Sequence, residues 1–292
     1  MRRRTFLASL GAAAVNLPMK SSWALTADRP FSDSLGLQLW TIRFQLEKNP
    51  QRALQAVADA GYDQVELMDV TESEKFAGIS KDLGLKMTSA FINWNTIVNP
   101  TADDTPSMEQ NIEAAKKLGL KYLVFGYIGK GYRESADQFK AIADASNRAG
   151  EMCQQAGIQL CYHNHSFEFL PLPGQQTGFD IFVERFDPKL TQFELDVFWL
   201  QIGGLDPAKT MQRLKGRVCQ LHLKDLLEGT PVIYDEKAVP HETFKELGAG
   251  IVDLDSVLKV AQEIDVAQCH VEQDRSPDPL KSIGVSMNYM RR

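Results

Sequence analysis

Cysteine is scarce in this chain: Cys153, Cys161, Cys219 and Cys269 are the only four in 292 residues. Disulfide scaffolds need a far denser set. Three of the four fall inside predicted strands, where thiols serve as small packing residues, so no disulfide is expected. Basic charge is also short. Thirty-two Lys and Arg against 38 Asp and Glu give a net charge of −6, with no sign of the basic patch that nucleic-acid binding requires. No long apolar run is present either; the stretch at 6–15 is too short to span a bilayer comfortably. A Gly-rich phosphate turn is missing after the first predicted strand, which disfavours an open, dinucleotide-binding sheet.

What remains is an ordinary globular composition, 43% hydrophobic and 24% charged, enough for one large domain. The first 24 residues are set apart. Arg2, Arg3 and Arg4 precede the apolar run, and Ser22 and Ala24 are small residues suited to cleavage. Arg3, Arg4, Thr5, Phe6 and Leu7 resemble a twin-arginine export signal. We therefore expect a signal peptide at 1–24, a linker at 25–34 and a folded domain at 35–292. Removing the signal takes away four positive charges and no negative ones, leaving an acidic mature chain of about −10. The expected location is periplasmic or exported, with membrane contact only during export.

From residue 35 strand-like and helix-like segments alternate. Predicted strands lie at 35–40, 62–68, 86–93, 122–128, 158–165, 192–199, 218–225 and 267–274. Predicted helices follow at 50–61, 73–84, 108–119, 135–157, 178–186, 206–216, 252–264 and 278–290. Strict alternation implies parallel strands with helical crossovers. Eight such units in this length fit a closed (β/α)₈ TIM barrel. The segment 226–251 is a long connection. In a barrel it would lie on the C-terminal face, where active sites form.

Ionisable residues converge at the strand ends. In a strand alternate side chains share a face, which groups His163 with His165 on strand five and Glu194 with Asp196 and Phe198 on strand six. The same rule groups Gln220, His222 and Lys224 on strand seven, and His270, Glu272 and Asp274 on strand eight. Strand two adds Glu66, and Glu168 follows strand five. Singly, each has an ordinary reading: His222 as a hydrogen-bonded core histidine, Lys224 with Asp225 as a strand-end ion pair, Glu66 as a solvated rim residue. Together they are costly to bury without a shared partner. A divalent cation supplies one. Carboxylate and imidazole suit Mn²⁺, Co²⁺, Zn²⁺, Fe²⁺ or Mg²⁺, and the lack of thiolate disfavours a structural zinc. The expected cofactor is one such ion.

The motifs YHNHSFEF, ELDVFW, LHLKD and HVEQD, in this order, resemble the sugar phosphate isomerase/epimerase family with the xylose isomerase-like barrel. Gly203, Gly204, Asp206 and Pro207, and the segment ELGAGIVD, support the resemblance, which covers about residues 35–290. It implies that Asp196, His222 and Glu272 take metal-ligand positions on strands six, seven and eight. Where many family members have a strand-five glutamate this chain has His163, with His165 or Glu168 as other candidates for the fourth ligand.

The resemblance implies chemistry on a keto-sugar or polyol through an enediolate. Glu272, or Glu66 or His165, would take the proton; Lys224 would stabilise the developing charge. Reprotonation gives isomerisation or epimerisation, and loss of a β-leaving group gives elimination, as in a 3-keto-glycoside lyase or dehydratase. The missing strand-five carboxylate brings elimination forward. Substrate contacts are expected from His165, Glu168, Trp199 and Trp40, with Phe91, Trp94 and Phe198 adding to an aromatic wall. A metal-dependent nuclease is disfavoured by the acidic charge. A non-catalytic periplasmic sugar-binding barrel is the remaining alternative. The expected partner is a small-molecule sugar, with no nucleic acid; a homo-oligomer stays open.

Overall fold

Several helices among the described residues carry clear start and stop signals. Ser107, Ser135 and Thr177 form reciprocal capping boxes with Gln110, Gln138 and Asp180. Gly61 and Gly119 end their helices in the left-handed conformation that other residues adopt only with strain. Such short, clean connections return the chain to the next strand in parallel. The computed structural model describes residues 29–31 and 33–292. The expected export signal, and part of the expected linker, lie outside the described residues.

Eight parallel strands close into a barrel. They are β1 (Gly36–Gln38), β2 (Gln64–Leu67), β3 (Lys86–Phe91), β4 (Tyr122–Phe125), β5 (Gln159–His163), β6 (Thr191–Asp196), β7 (Val218–Leu223) and β8 (Gln268–Val271). Each pairs with its neighbours in sequence, and β8 closes onto β1 through the Gly36–His270 register. The fold is thus the expected (β/α)₈ barrel. The apolar core lies between the strands and the outer helices, with Phe182, Phe193, Leu195 and Leu221 fully buried. Inside the barrel, by contrast, Gln38, Glu66, Ser89, Glu194, Gln220, His222 and His270 form a polar stack, all buried. A small apolar cluster of Val124, Cys161 and Cys219 completes the interior.

Most strands end earlier than the periodicity predicts, among them strand four at Phe125 rather than 128 and strand eight at Val271 rather than 274, and an unpredicted helix, Arg43–Lys48, follows strand one; two differences bear on the site. Strand six stops at Asp196 rather than 199. The Asp196 carboxylate caps a helix, Val197–Ile202, by accepting from the N–H groups of Phe198 at 2.9 Å and Trp199 at 3.0 Å. Phe198 therefore leaves the inner face and stacks on Phe244, with centroids 4.4 Å apart. The long connection is ordered as well. Its ends pair as an antiparallel ribbon, Asp225–Leu226 with Phe244–Lys245. The Asp225 carboxylate gathers the N–H groups of Leu226, Gly248, Gly250 and Val252 at 2.9–3.0 Å. A Cβ at Gly250 would fall 2.3 Å from Asp225 Oδ1, so this position admits only glycine without rearrangement. Asp225 is consequently not the partner of Lys224, which turns to other acids.

Candidate active site and metal centre

The barrel mouth holds a cavity of about 710 Å³. Its floor is made by His163, Lys224 and Glu272, and its walls include Trp40, Trp94, Tyr127 and Trp199. The long connection contributes Glu236, Lys237 and Val239 to the rim. It is held there by a buried ion pair, Arg133 to Glu236 at 2.7 Å, by the Arg133 guanidinium 3.6 Å from the Phe167 ring centre, and by Ser166 Oγ donating to Tyr234 O at 3.2 Å.

Register brings the ligating residues together. Asp196 lies beside His222, and His163 beside Glu194. At the floor His163 Nε2 and His222 Nδ1 lie 3.8 and 4.0 Å from Asp196 Oδ2. These gaps are too long for hydrogen bonds, and Asp196 Oδ2 has no hydrogen-bond partner among the described residues although fully buried; Lys224 Nζ is 3.1 Å away without hydrogen-bond geometry. A bare buried carboxylate oxygen facing two imidazole nitrogens fits a divalent cation better than a packed core. His163, Asp196 and His222 offer ligand atoms within 4.8 Å of one another. Glu272 Oε2 adjoins them, 2.8 Å from His222 Nδ1 and 2.7 Å from Lys224 Nζ.

The surroundings set the charges. Burial disfavours the Glu272 carboxylate, but Lys224 and His222 outweigh it and bring its pKa down to about 2. Burial also opposes the Lys224 ammonium, yet Asp196, Asp274 and Glu272 hold its pKa well above the ordinary value. Asp274, 2.7 Å from Lys224, is pushed up to about 6 by burial and by the nearby Glu272 charge. Desolvation, with the Lys224 charge, drives His165 down to about 3. His163 is likewise held well below its usual range by burial and by His222 and His165. Both strand-five imidazoles are thus neutral.

Glu66 is not at the rim. It is fully buried beneath His222, accepting from Gln38 Nε2 at 2.8 Å and Ser89 Oγ at 2.6 Å, with its Oε2 2.5 Å from His222 Nε2. It cannot reach a molecule in the cavity; it orients His222. Glu168 is folded away too. Its carboxylate accepts from the Tyr162 hydroxyl and, at 3.0 and 3.1 Å, from the His165 N–H. His165, Trp40 and Trp199 do line the cavity, and His165 Nδ1 is without a hydrogen-bond partner among the described residues.

Burial raises Glu168 to about 7 despite its hydrogen bonds. The sign follows. Between the ordinary carboxylate value and about 7 the folded chain keeps a proton that the unfolded chain has lost, so stability falls as pH rises through that window. A shift of this size corresponds to on the order of 3 kcal/mol. Glu168→Gln removes the titration. Its urea midpoint relative to the native chain should therefore improve between pH 5 and pH 8; a constant difference would contradict this assignment.

Some site residues carried little signal. Tyr127 and Gly126 follow β4, a strand without carboxylate, imidazole or basic side chains. The hint there is the glycine: a Cβ at Gly126 would sit 2.8 Å from His163 Cβ, so the smallest residue makes room for a ligand from the next strand. Glu236, Lys237 and Val239 had only loop length to betray them.

The profile of the xylose isomerase-like TIM barrel family matches residues 54–292. Among curated relatives, an inosose dehydratase of Bacillus cereus is 25% identical over 202 residues, covering 62% of this chain and 66% of that protein. The match thus spans just under two thirds of the relative's length. Among solved structures, a sugar phosphate isomerase/epimerase from Parabacteroides distasonis superposes with a TM-score of 0.73 at 23% identity, covering 92% of this chain and 97% of that one. The IOLI protein with a bound zinc atom superposes with a TM-score of 0.62 at 16% identity, covering 87% and 95%. The closed eight-strand barrel and the profile match over most of its length agree: the chain belongs to the xylose isomerase-like TIM barrel family.

Proposed function

We propose that this protein is a divalent-metal-dependent enzyme that removes the proton beside the ketone of a keto-sugar or keto-cyclitol, with elimination of a β-substituent as the outcome. The carrying observation is the asymmetry of the cavity floor. An ionised carboxylate, Glu272, faces the cavity from the β8 end. The β5 end presents the neutral imidazoles of His163 and His165 instead of a second carboxylate. Epimerisation through two carboxylates takes a proton on one face and returns one on the other. Elimination needs a single base and a donor for the leaving group.

His163, Asp196 and His222, with Glu272 adjoining, would hold the ion, which when bound polarises the carbonyl and acidifies its neighbouring C–H. Glu272 would accept that proton and pass it to the departing β-substituent, which leaves in protonated form (as water, for a hydroxyl). Lys224, 2.7 Å from Glu272, places its ammonium where negative charge develops on the carbonyl oxygen. His165, with its free Nδ1, accepts a hydrogen bond from a substrate hydroxyl. Trp40 and Trp199 offer apolar faces for the C–H side of a ring. The likeness to an inosose dehydratase supports elimination. The likeness to a sugar phosphate isomerase/epimerase favours the second reading, epimerisation on the same floor. Arg3 and Arg4 support an exported enzyme acting on sugars outside the cytoplasm.

The test is incubation with Mn²⁺ and keto-sugars or inosose in D₂O, followed by NMR and ultraviolet absorbance. Loss of the C–H signal with formation of an unsaturated ketone is expected, and chelator should stop it. Deuterium incorporation with inverted configuration and no unsaturated product would assign epimerisation. Neither exchange nor product would overturn the enzymatic reading.

A further inference from the structure

We propose a second divalent-cation site one layer below the first, inside the barrel, held by Glu66, Glu194 and His270. The three come from β2, β6 and β8 and are fully buried. Each offers a ligand atom within 4.8 Å of the others, with His222 in the same group. The cluster stands on more than its acids. His270 has neither Nδ1 nor Nε2 hydrogen-bonded to any described residue, although both are buried. Its Nδ1 lies 3.8 Å from Glu66 Oε1, too far for a hydrogen bond. A buried imidazole with both nitrogens bare is costly to fold. A metal ion satisfies one nitrogen outright.

Two carboxylates and an imidazole make a donor set that suits a divalent ion. His222 Nε2 lies 2.5 Å from Glu66 Oε2 and 3.0 Å from Glu194 Oε1, which draws the two carboxylates together. The outer support is built as metal sites require. Gln38 and Ser89 donate to Glu66 at 2.8 and 2.6 Å, and Gln220 donates to Glu194 at 2.8 Å. Gly36 leaves the space that His270 fills: a Cβ there would lie 2.2 Å from His270 Cδ2. His222 lies between the two levels, with one ring nitrogen toward each.

The site goes beyond the proposed activity and is tested apart from it. The metal-free full chain is loaded with Co²⁺, desalted and analysed for cobalt, and crystals of the loaded native chain are measured at the cobalt absorption edge. About two Co²⁺ per chain are expected, with two anomalous peaks, one between Asp196 and His163 and one between Glu66 and His270. His270→Leu and Asp196→Asn should each halve the cobalt content. One Co²⁺ in the native chain, unchanged in His270→Leu and lost in Asp196→Asn, would overturn the lower site and leave the upper one standing. If His270→Leu does not fold, the anomalous map of the native chain decides alone: a single peak at the upper position overturns the proposal.

Discussion

Glu272→Gln is expected to lower turnover of a keto-sugar by roughly 10²–10⁴-fold, the range lost with a general base, while the protein keeps bound metal. The glutamine preserves size and a carbonyl oxygen beside His222 but cannot accept the proton. Metal retention follows from the geometry. The acceptor without a hydrogen bond at the floor belongs to Asp196, and Glu272 Oε2 is already engaged by Lys224 at 2.7 Å. Asp196→Ala should therefore lose metal and turnover together. Metal analysis beside a turnover assay separates the roles. If Glu272→Gln loses metal in step with turnover, Glu272 is a ligand first; if turnover survives, another residue is the base.

Lys224→Met should destabilise the chain by about 3–5 kcal/mol, the range for removing one partner of a buried ion pair. The Lys224 side chain is 3% exposed, and its ammonium lies 2.7 Å from Glu272, 2.7 Å from Asp274 and 3.1 Å from Asp196. Removing it leaves those carboxylates repelling one another in a desolvated pocket. The pKa of Lys224 is well above its ordinary value, so its charge is present at neutral pH. Added Mn²⁺ should recover part of the lost urea stability, since an ion that binds only the folded chain stabilises it. Turnover should not recover with it, because the cation beside the developing oxyanion is gone. A variant as stable as the native chain in the absence of metal would show that the acids are not held by Lys224.

The barrel itself was written in the sequence. Its eight strand–helix units are punctuated by capping residues and glycines, signals that act within a few residues and survive without tertiary context. The strand-end pattern was also legible, because a polar residue at every second position of an apolar strand is visible in one dimension. It singled out Asp196, His222, Lys224 and Glu272. Residues that share a strand face can still differ in depth, and here the pattern had no power. Glu66 reads from sequence like Glu272, yet strand stagger places one beneath His222 and the other on the cavity floor. Glu168 reads as a neighbour of His165, but a tight turn, Phe167–Phe169, folds its carboxylate back onto Tyr162. Phe198 lost its place in the pattern because the Asp196 cap converts strand to helix within two residues. Local chemistry thus determined the fold and the kinds of residue at its mouth. Only closure of the barrel decided which of them meet, since the distances among β2, β5, β6, β7 and β8 are set by strand register and shear, which no single segment of the chain contains.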